Sequence, residues 1–185
     1  RFENNLTRAP ASLLGGIWEA WPKQPENLAL EGNTWAPDVI WNDVMRKWCM
    51  YLSVNGHEFR SVIVLLTADR LDGDWTYVGP VVYSGFNVDN VGRTDVPRVL
   101  GDEAAHGDLS RYASLKDTRI NAIDAAPIRC DHGELWMSFG SWFGGIWMFK
   151  LDPKTGLRDY STTYQTVKNQ SDAYYGIKLG GGFGN

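Results

Sequence analysis

The sequence predicts an all-β chain laid down as successive antiparallel hairpins, forming part of a β-propeller. Three observations carry that expectation. Short β-branched or aromatic runs alternate with tight polar turns, and one strand–turn–strand unit occurs twice. Aromatic residues reach 13% of the chain, and 20 of its 185 residues are glycine, a composition of flat core-filling side chains and many turns. Evidence for helical periodicity is thin throughout.

The elements follow in order. Ala36 to Trp41 opens the first unit, and the polar turn Asn42-Asp43, with Arg46-Lys47 behind it, leads into Trp48–Val54, which has strand composition. Arg60–Leu66 is a short β-branched run of the kind a buried strand needs. Asp72-Gly73-Asp74 is a strong turn signal, and Trp75–Val82 follows it as a strand. The polar, Gly- and Asp-rich stretch from Ser84 to Arg119 is expected to be a long loop between blades, of the kind that often helps to build a site. Asp131-His132-Gly133 then turns into Leu135–Phe139, Gly144-Gly145 leads into Ile146–Phe149, and Asp152-Pro153-Lys154-Thr155-Gly156 closes that strand. The repeat pairs Ala36–Trp41 and Trp48–Ser53 with Asp124–Arg129 and Leu135–Gly140 at an offset of about 88 residues. Four-stranded antiparallel units arranged around an axis make a propeller, which needs at least about four blades. Two units leave open edges, so the chain is expected to be a piece of a larger propeller.

Composition excludes several functions. The net charge of -4 argues against a nucleic-acid partner, which requires a basic stripe to neutralise phosphates. No apolar run approaches the roughly 20 residues of a membrane helix. Cys49 and Cys130 cannot by themselves build a disulfide framework or a zinc site, and two free, buried thiols are expected. His57, His106 and His132 have no ligand spacing among themselves, so no metal site is expected within the chain. Gly180-Gly181-Gly182 lacks the Lys-Ser/Thr that follows a phosphate-binding loop. Surplus tryptophan suits sugar stacking, although most of the nine are expected to fill the core.

Several motifs resemble glycoside hydrolase family 43, the arabinanase and xylosidase family of five-bladed propellers. Trp35-Ala36-Pro37-Asp38-Val39 is similar to the opening of the family's second blade. Asn121-Ala122-Ile123-Asp124 followed by Asp131-His132-Gly133-Glu134-Leu135-Trp136 is similar to the opening of the third. Phe139–Ile146, Leu151–Gly156 and Gly176–Gly182 resemble the arabinanase branch in particular. The resemblance implies a second blade from about residue 35, a third from about 121 and the start of a fourth near 174. It covers most of the chain from Trp35 onward.

The resemblance also implies a chemistry: inverting hydrolysis of α-1,5-L-arabinosyl linkages in plant arabinan. A base activates water and an acid protonates the leaving oxygen, their carboxyl groups standing roughly 6.5–9.5 Å apart. A third carboxylate holds the acid and raises its pKa. By the resemblance Asp124 is that third carboxylate, while base and acid lie outside residues 1–185, which alone are expected to be inactive. One departure stands beside it, since the family usually has Pro after this Asp and this chain has Ala125. An exo-acting arabinofuranosidase, a β-xylosidase or a non-catalytic carbohydrate-binding propeller are the alternative expectations.

The candidate substrate contacts are Trp35, Asp38, Asn121, Ser141, Trp142, Trp18 and Trp21. Ser141 and Trp142 precede a Gly-Gly turn whose glycines are expected to leave room for a ligand. The expected partners are arabinan or its oligosaccharides and the remaining blades, as one or two polypeptides. No cofactor is expected within the chain, and the arabinanase branch implies a structural calcium on the axis of the parent propeller. A polymeric plant substrate implies a secreted or periplasmic location.

Overall fold

The structure is a computed structural model. It describes residues 34–55, 61–86, 91–101, 120–141, 144–165 and 173–181. Two four-stranded antiparallel sheets account for nearly all of its regular structure. Each follows chain order, β1-β2-β3-β4 and β5-β6-β7-β8, as a meander of hairpins does. The first contains β1 (Thr34–Asn42), β2 (Lys47–Asn55), β3 (Ser61–Ala68) and β4 (Thr76–Tyr83). The second contains β5 (Ala126–Arg129), β6 (Leu135–Ser141), β7 (Gly145–Leu151) and β8 (Ile177–Gly180). Both expected hairpin units are therefore strands of separate sheets. Ile177–Gly180, near the point where a further blade is expected to start, hydrogen-bonds to β7 as the fourth strand of the second sheet.

The stretch expected to be a loop after Ser84 is partly regular among the described residues. It holds a 3-10 turn at Val91–Arg93 and a short helix, α1 (Val96–Leu100), with a proline in its first turn. Five residues are too few to show helical periodicity in sequence, and proline is tolerated there because the first turn has no intrahelical acceptor for its missing N–H.

The sheets pack face to face around one core. β3 is buried along its whole length, as its run of β-branched and leucine side chains requires. Cys49, Tyr51 and Ser53 of β2, with Leu65 and Ser61 of β3, point from the first sheet toward the second. Tyr51 Oη donates to the Gly156 carbonyl at 2.7 Å, and Leu65 and Cys49 crowd the Gly156 Cα. Asn42, buried at the end of β1, donates from Nδ2 to the Pro153 carbonyl at 2.9 Å. Its Oδ1 accepts the N–H groups of Val44 and Met45, closing the first hairpin turn. The Asp152–Gly156 turn thus clasps the first sheet from the second. Met137, Phe139, Phe149 and Leu151 meet that face, each fully buried aliphatic or aromatic side chain contributing about 2 kcal/mol.

Both cysteines are free, but only Cys49 is buried; Cys130 is half-buried, because it sits at the β5–β6 turn, where the sheet edge meets solvent. Burial pushes the Cys49 thiol up to about 11. Beside α1, the Asp95 carboxylate accepts from Tyr160 Oη at 3.0 Å and Tyr174 Oη at 2.5 Å. Tyr174 Oη in turn accepts the Tyr83 N–H at 2.9 Å, linking the end of β4 to the second sheet. Loss of solvent raises the Asp95 carboxyl, with the nearby Arg158 cation opposing that rise. Arg158 is itself buried against the rings of Phe149 and Tyr174.

Candidate active site

The site is built just before β5, beside the Trp35–Ser53 pair of β1 and β2. Residues 120–125 run into β5 here and are held by the first sheet through three serines. Ser61 Oγ donates to Asn121 Oδ1 at 2.6 Å, Ser84 Oγ accepts the Ala122 N–H at 2.9 Å, and Ser53 Oγ accepts the Asp124 N–H at 3.1 Å. The second sheet adds one more bond, the Gly140 N–H donating to the Ile123 carbonyl at 2.9 Å. Alternate grips from both sides fix a segment that belongs to neither ladder.

The serines reach it because of register. Ser61 lies opposite Ser84, the two exchanging backbone bonds just beyond the named end of β4, while Ser53 sits two residues before the end of β2. All three side chains are buried. A buried hydroxyl needs a partner, and residues 121–124 supply one for each.

Asp124 is exposed, with φ of 55°, in the left-handed region. Asp tolerates this conformation better than most residues. Ala125, itself buried, permits it, whereas a proline would push the preceding residue to extended backbone with negative φ. The departure at Ala125 is therefore matched to the backbone beside it. Nearby protein removes solvent from one side of the Asp124 carboxyl and raises its pKa above the ordinary Asp value. Among the described residues no hydrogen-bond donor reaches this carboxylate, and Asp124 is exposed.

The other expected residues divide. Trp35 lies opposite Ser53 in the β1–β2 register, which brings it and Asp124 to the same serine. At 47% exposure it is the exposed tryptophan among the described residues. Trp41 and Trp48 pack edge to face, while Trp147 is buried and donates to the Gly144 carbonyl at 2.9 Å. Asp38 is exposed at the far side of a bulge between Trp35 and Asp38, its Oδ1 accepting the Val39 N–H at 2.7 Å. It is not enclosed by its apolar neighbours, because the bulge turns it out to solvent. Asn121 is buried, and its Oδ1 is engaged by Ser61, so it supports the segment from within.

Ser141 ends β6. Trp142, Trp18 and Trp21 lie outside the described residues. The room left by the Gly144-Gly145 turn is taken by the chain itself: a Cβ on Gly144, at φ +77°, would stand 2.7 Å from Ile120 backbone atoms. Close backbone packing against Ile120 requires glycine there. Among the described residues no group of three or more His, Cys, Asp or Glu is placed to hold a metal ion. No helix among them is long and apolar enough to cross a membrane.

Sequence reasoning named Asp124 and Asn121 as candidates but did not single out the three serines that hold their segment. The only signal was a small polar residue set among apolar strand residues, in Leu52-Ser53-Val54 and Ser61-Val62-Ile63.

Comparison with known proteins decides the family likeness. Over 123 residues the chain is 34% identical to an extracellular endo-α-(1→5)-L-arabinanase of Thermotoga petrophila, an alignment taking in 66% of this chain and 23% of that protein. The chain is similar to the arabinanases of glycoside hydrolase family 43. The crystal structure of an endo-1,5-α-L-arabinanase from Thermotoga petrophila RKU-1 superposes with a TM-score of 0.56 at 28% identity, covering 80% of this chain and 28% of that one. The family 43 glycoside hydrolase YxiA of Bacillus licheniformis superposes with a TM-score of 0.63 at 25% identity, covering 97% and 32% of the two chains. No family model matches the sequence. This arabinanase-like chain thus spans about a quarter of the length of the curated relatives it matches.

Proposed function

We propose that the protein containing this chain is a secreted glycoside hydrolase that cleaves α-1,5-L-arabinosyl linkages of arabinan with inversion, and that Asp124 is its third carboxylate. The observation that supports this reading is Asp124 itself. It is an acid in left-handed backbone, held through its own N–H, with its carboxylate turned outward at the junction of two sheets. That the relatives are named extracellular arabinanases supports the choice of substrate and location.

The chemistry follows from charge. As the base takes a proton from water, the acid must still hold the proton that it will give to the leaving oxygen. A fixed negative charge beside the acid disfavours the acid's ionisation and keeps it loaded at the working pH. Asp124 supplies that charge from a backbone that the first sheet immobilises. Trp35 offers the apolar face of an indole to a furanose ring, which stacks on it without needing a polar partner. Base and acid are contributed from outside residues 1–185, by the remaining blades of the propeller.

The test is product analysis. The intact protein should release arabino-oligosaccharides from linear α-1,5-arabinan, and proton NMR of the first products should show the β anomer. Release of the α anomer, or cleavage of xylan in preference to arabinan, would overturn the proposal.

A further inference from the structure

The three serines hold one segment through Oγ, Ser61 as a donor and Ser84 and Ser53 as acceptors. Ser53 is the member that bonds the residue carrying the carboxylate. Its hydroxyl is wholly buried, lies opposite Trp35, and accepts the Asp124 N–H across 71 residues of sequence. Asp124 needs such a hold because φ of 55° is a minor conformation for any residue with a Cβ. Nothing else among the described residues fixes its N–H: the neighbouring bonds are made by Asn121, Ala122 and Ile123. An extended conformation at 124 would swing the carboxylate away from its outward direction and break the Ser53 bond.

We infer that Ser53 is a positioning residue for the reaction, its buried hydroxyl locking Asp124 in left-handed backbone so that the carboxylate stands ready at the junction of the sheets. This rests on the role proposed for Asp124, but the hold itself is a property of the chain whatever the substrate. Ser61 and Ser84 brace the preceding residues, and Ser53 sets the direction of the acid.

The experiment compares the intact wild-type protein with Ser53→Ala and Ser53→Thr, and with Thr67→Val as a control that removes a buried hydroxyl elsewhere in β3. Amide hydrogen exchange is read residue by residue across 120–125, beside the melting temperature and the pH profile of kcat/KM on arabino-oligosaccharide. Ser53→Ala should speed exchange at Asp124 roughly tenfold, the ratio matching about 1.4 kcal/mol for one hydrogen bond. It should lower kcat more than it raises KM and shift the limb of the pH profile governed by the acid. Ser53→Thr, which keeps the hydroxyl, should restore both readouts, and Thr67→Val should move neither.

Unchanged Asp124 exchange and an unchanged pH profile in a folded Ser53→Ala protein would overturn the inference. Equal losses in Ser53→Ala and Thr67→Val would also overturn it, since general destabilisation would then explain both. If the wild-type protein does not cleave arabinan, the proposed function fails by itself, while the exchange data still decide whether Ser53 holds Asp124.

Discussion

Asp124 combines three properties that seldom meet in an ordinary turn residue: left-handed backbone, an anchored N–H and a carboxyl raised by loss of solvent. The raised carboxyl has a consequence for stability with a definite sign. Because the folded state binds the proton more tightly than the unfolded chain, ionisation of Asp124 opposes folding. Its cost is absent below the ordinary Asp range and grows as pH rises through that range toward the folded pKa. Asp124→Asn, which cannot ionise, should therefore gain stability relative to wild type as pH increases across the acidic range. Melting temperatures of the two proteins, measured over that range, check this. A difference that shrinks as pH rises would mean that a partner favours the ionised form.

The residue scale also shows where sequence was informative. Asp124 was legible because its neighbours form an extended motif. Ser53 was not, since nothing local marks a serine whose partner lies in another sheet, and its significance exists only once β1 and β2 are in register. Asp38 shows the converse: it lies between apolar neighbours in sequence, yet it is exposed beside a bulge.

Among the elements, the strands were the most legible part. The run expected as Arg60–Leu66 is β3 at Ser61–Ala68, and that expected as Trp48–Val54 is β2 at Lys47–Asn55. Turn chemistry set their limits, as in Asp152–Gly156, where Asp152 Oδ1 accepts the Lys154 N–H at 2.9 Å. Helix α1 was not legible, because it is short and owes its place to tertiary contacts around Asp95. At Gly144 the structure supplies a packing reason for glycine, and sequence cannot distinguish a glycine that admits a ligand from one that admits the chain's own backbone. Gly144→Ala separates the two. The added Cβ meets Ile120 backbone in a left-handed residue, so the variant should lose about 2–4 kcal/mol in denaturant unfolding of the intact protein. A loss below about 0.5 kcal/mol, the range of a neutral surface change, would contradict the packing explanation.

Among the described residues, two sheets in chain order share a core, with β1 and β5 in contact and the Asp152–Gly156 turn clasping the sheets together. The repeat in the sequence foretold two units but not how they join, because the joining contacts are made by isolated residues such as Asn42, Tyr51 and Tyr174. This arrangement braces residues 121–124 from both sheets and leaves Asp124 and Trp35 exposed beside Ser53. The central claim is that this carboxylate serves glycoside hydrolysis. Its most direct test is the rate at which the intact protein cleaves linear α-1,5-arabinan, compared with intact Asp124→Asn at saturating substrate. The substitution should lower kcat by about 10²-fold or more, the scale of lost acid–base assistance, with folding preserved. A folded Asp124→Asn protein that cleaves arabinan at the wild-type rate would contradict it.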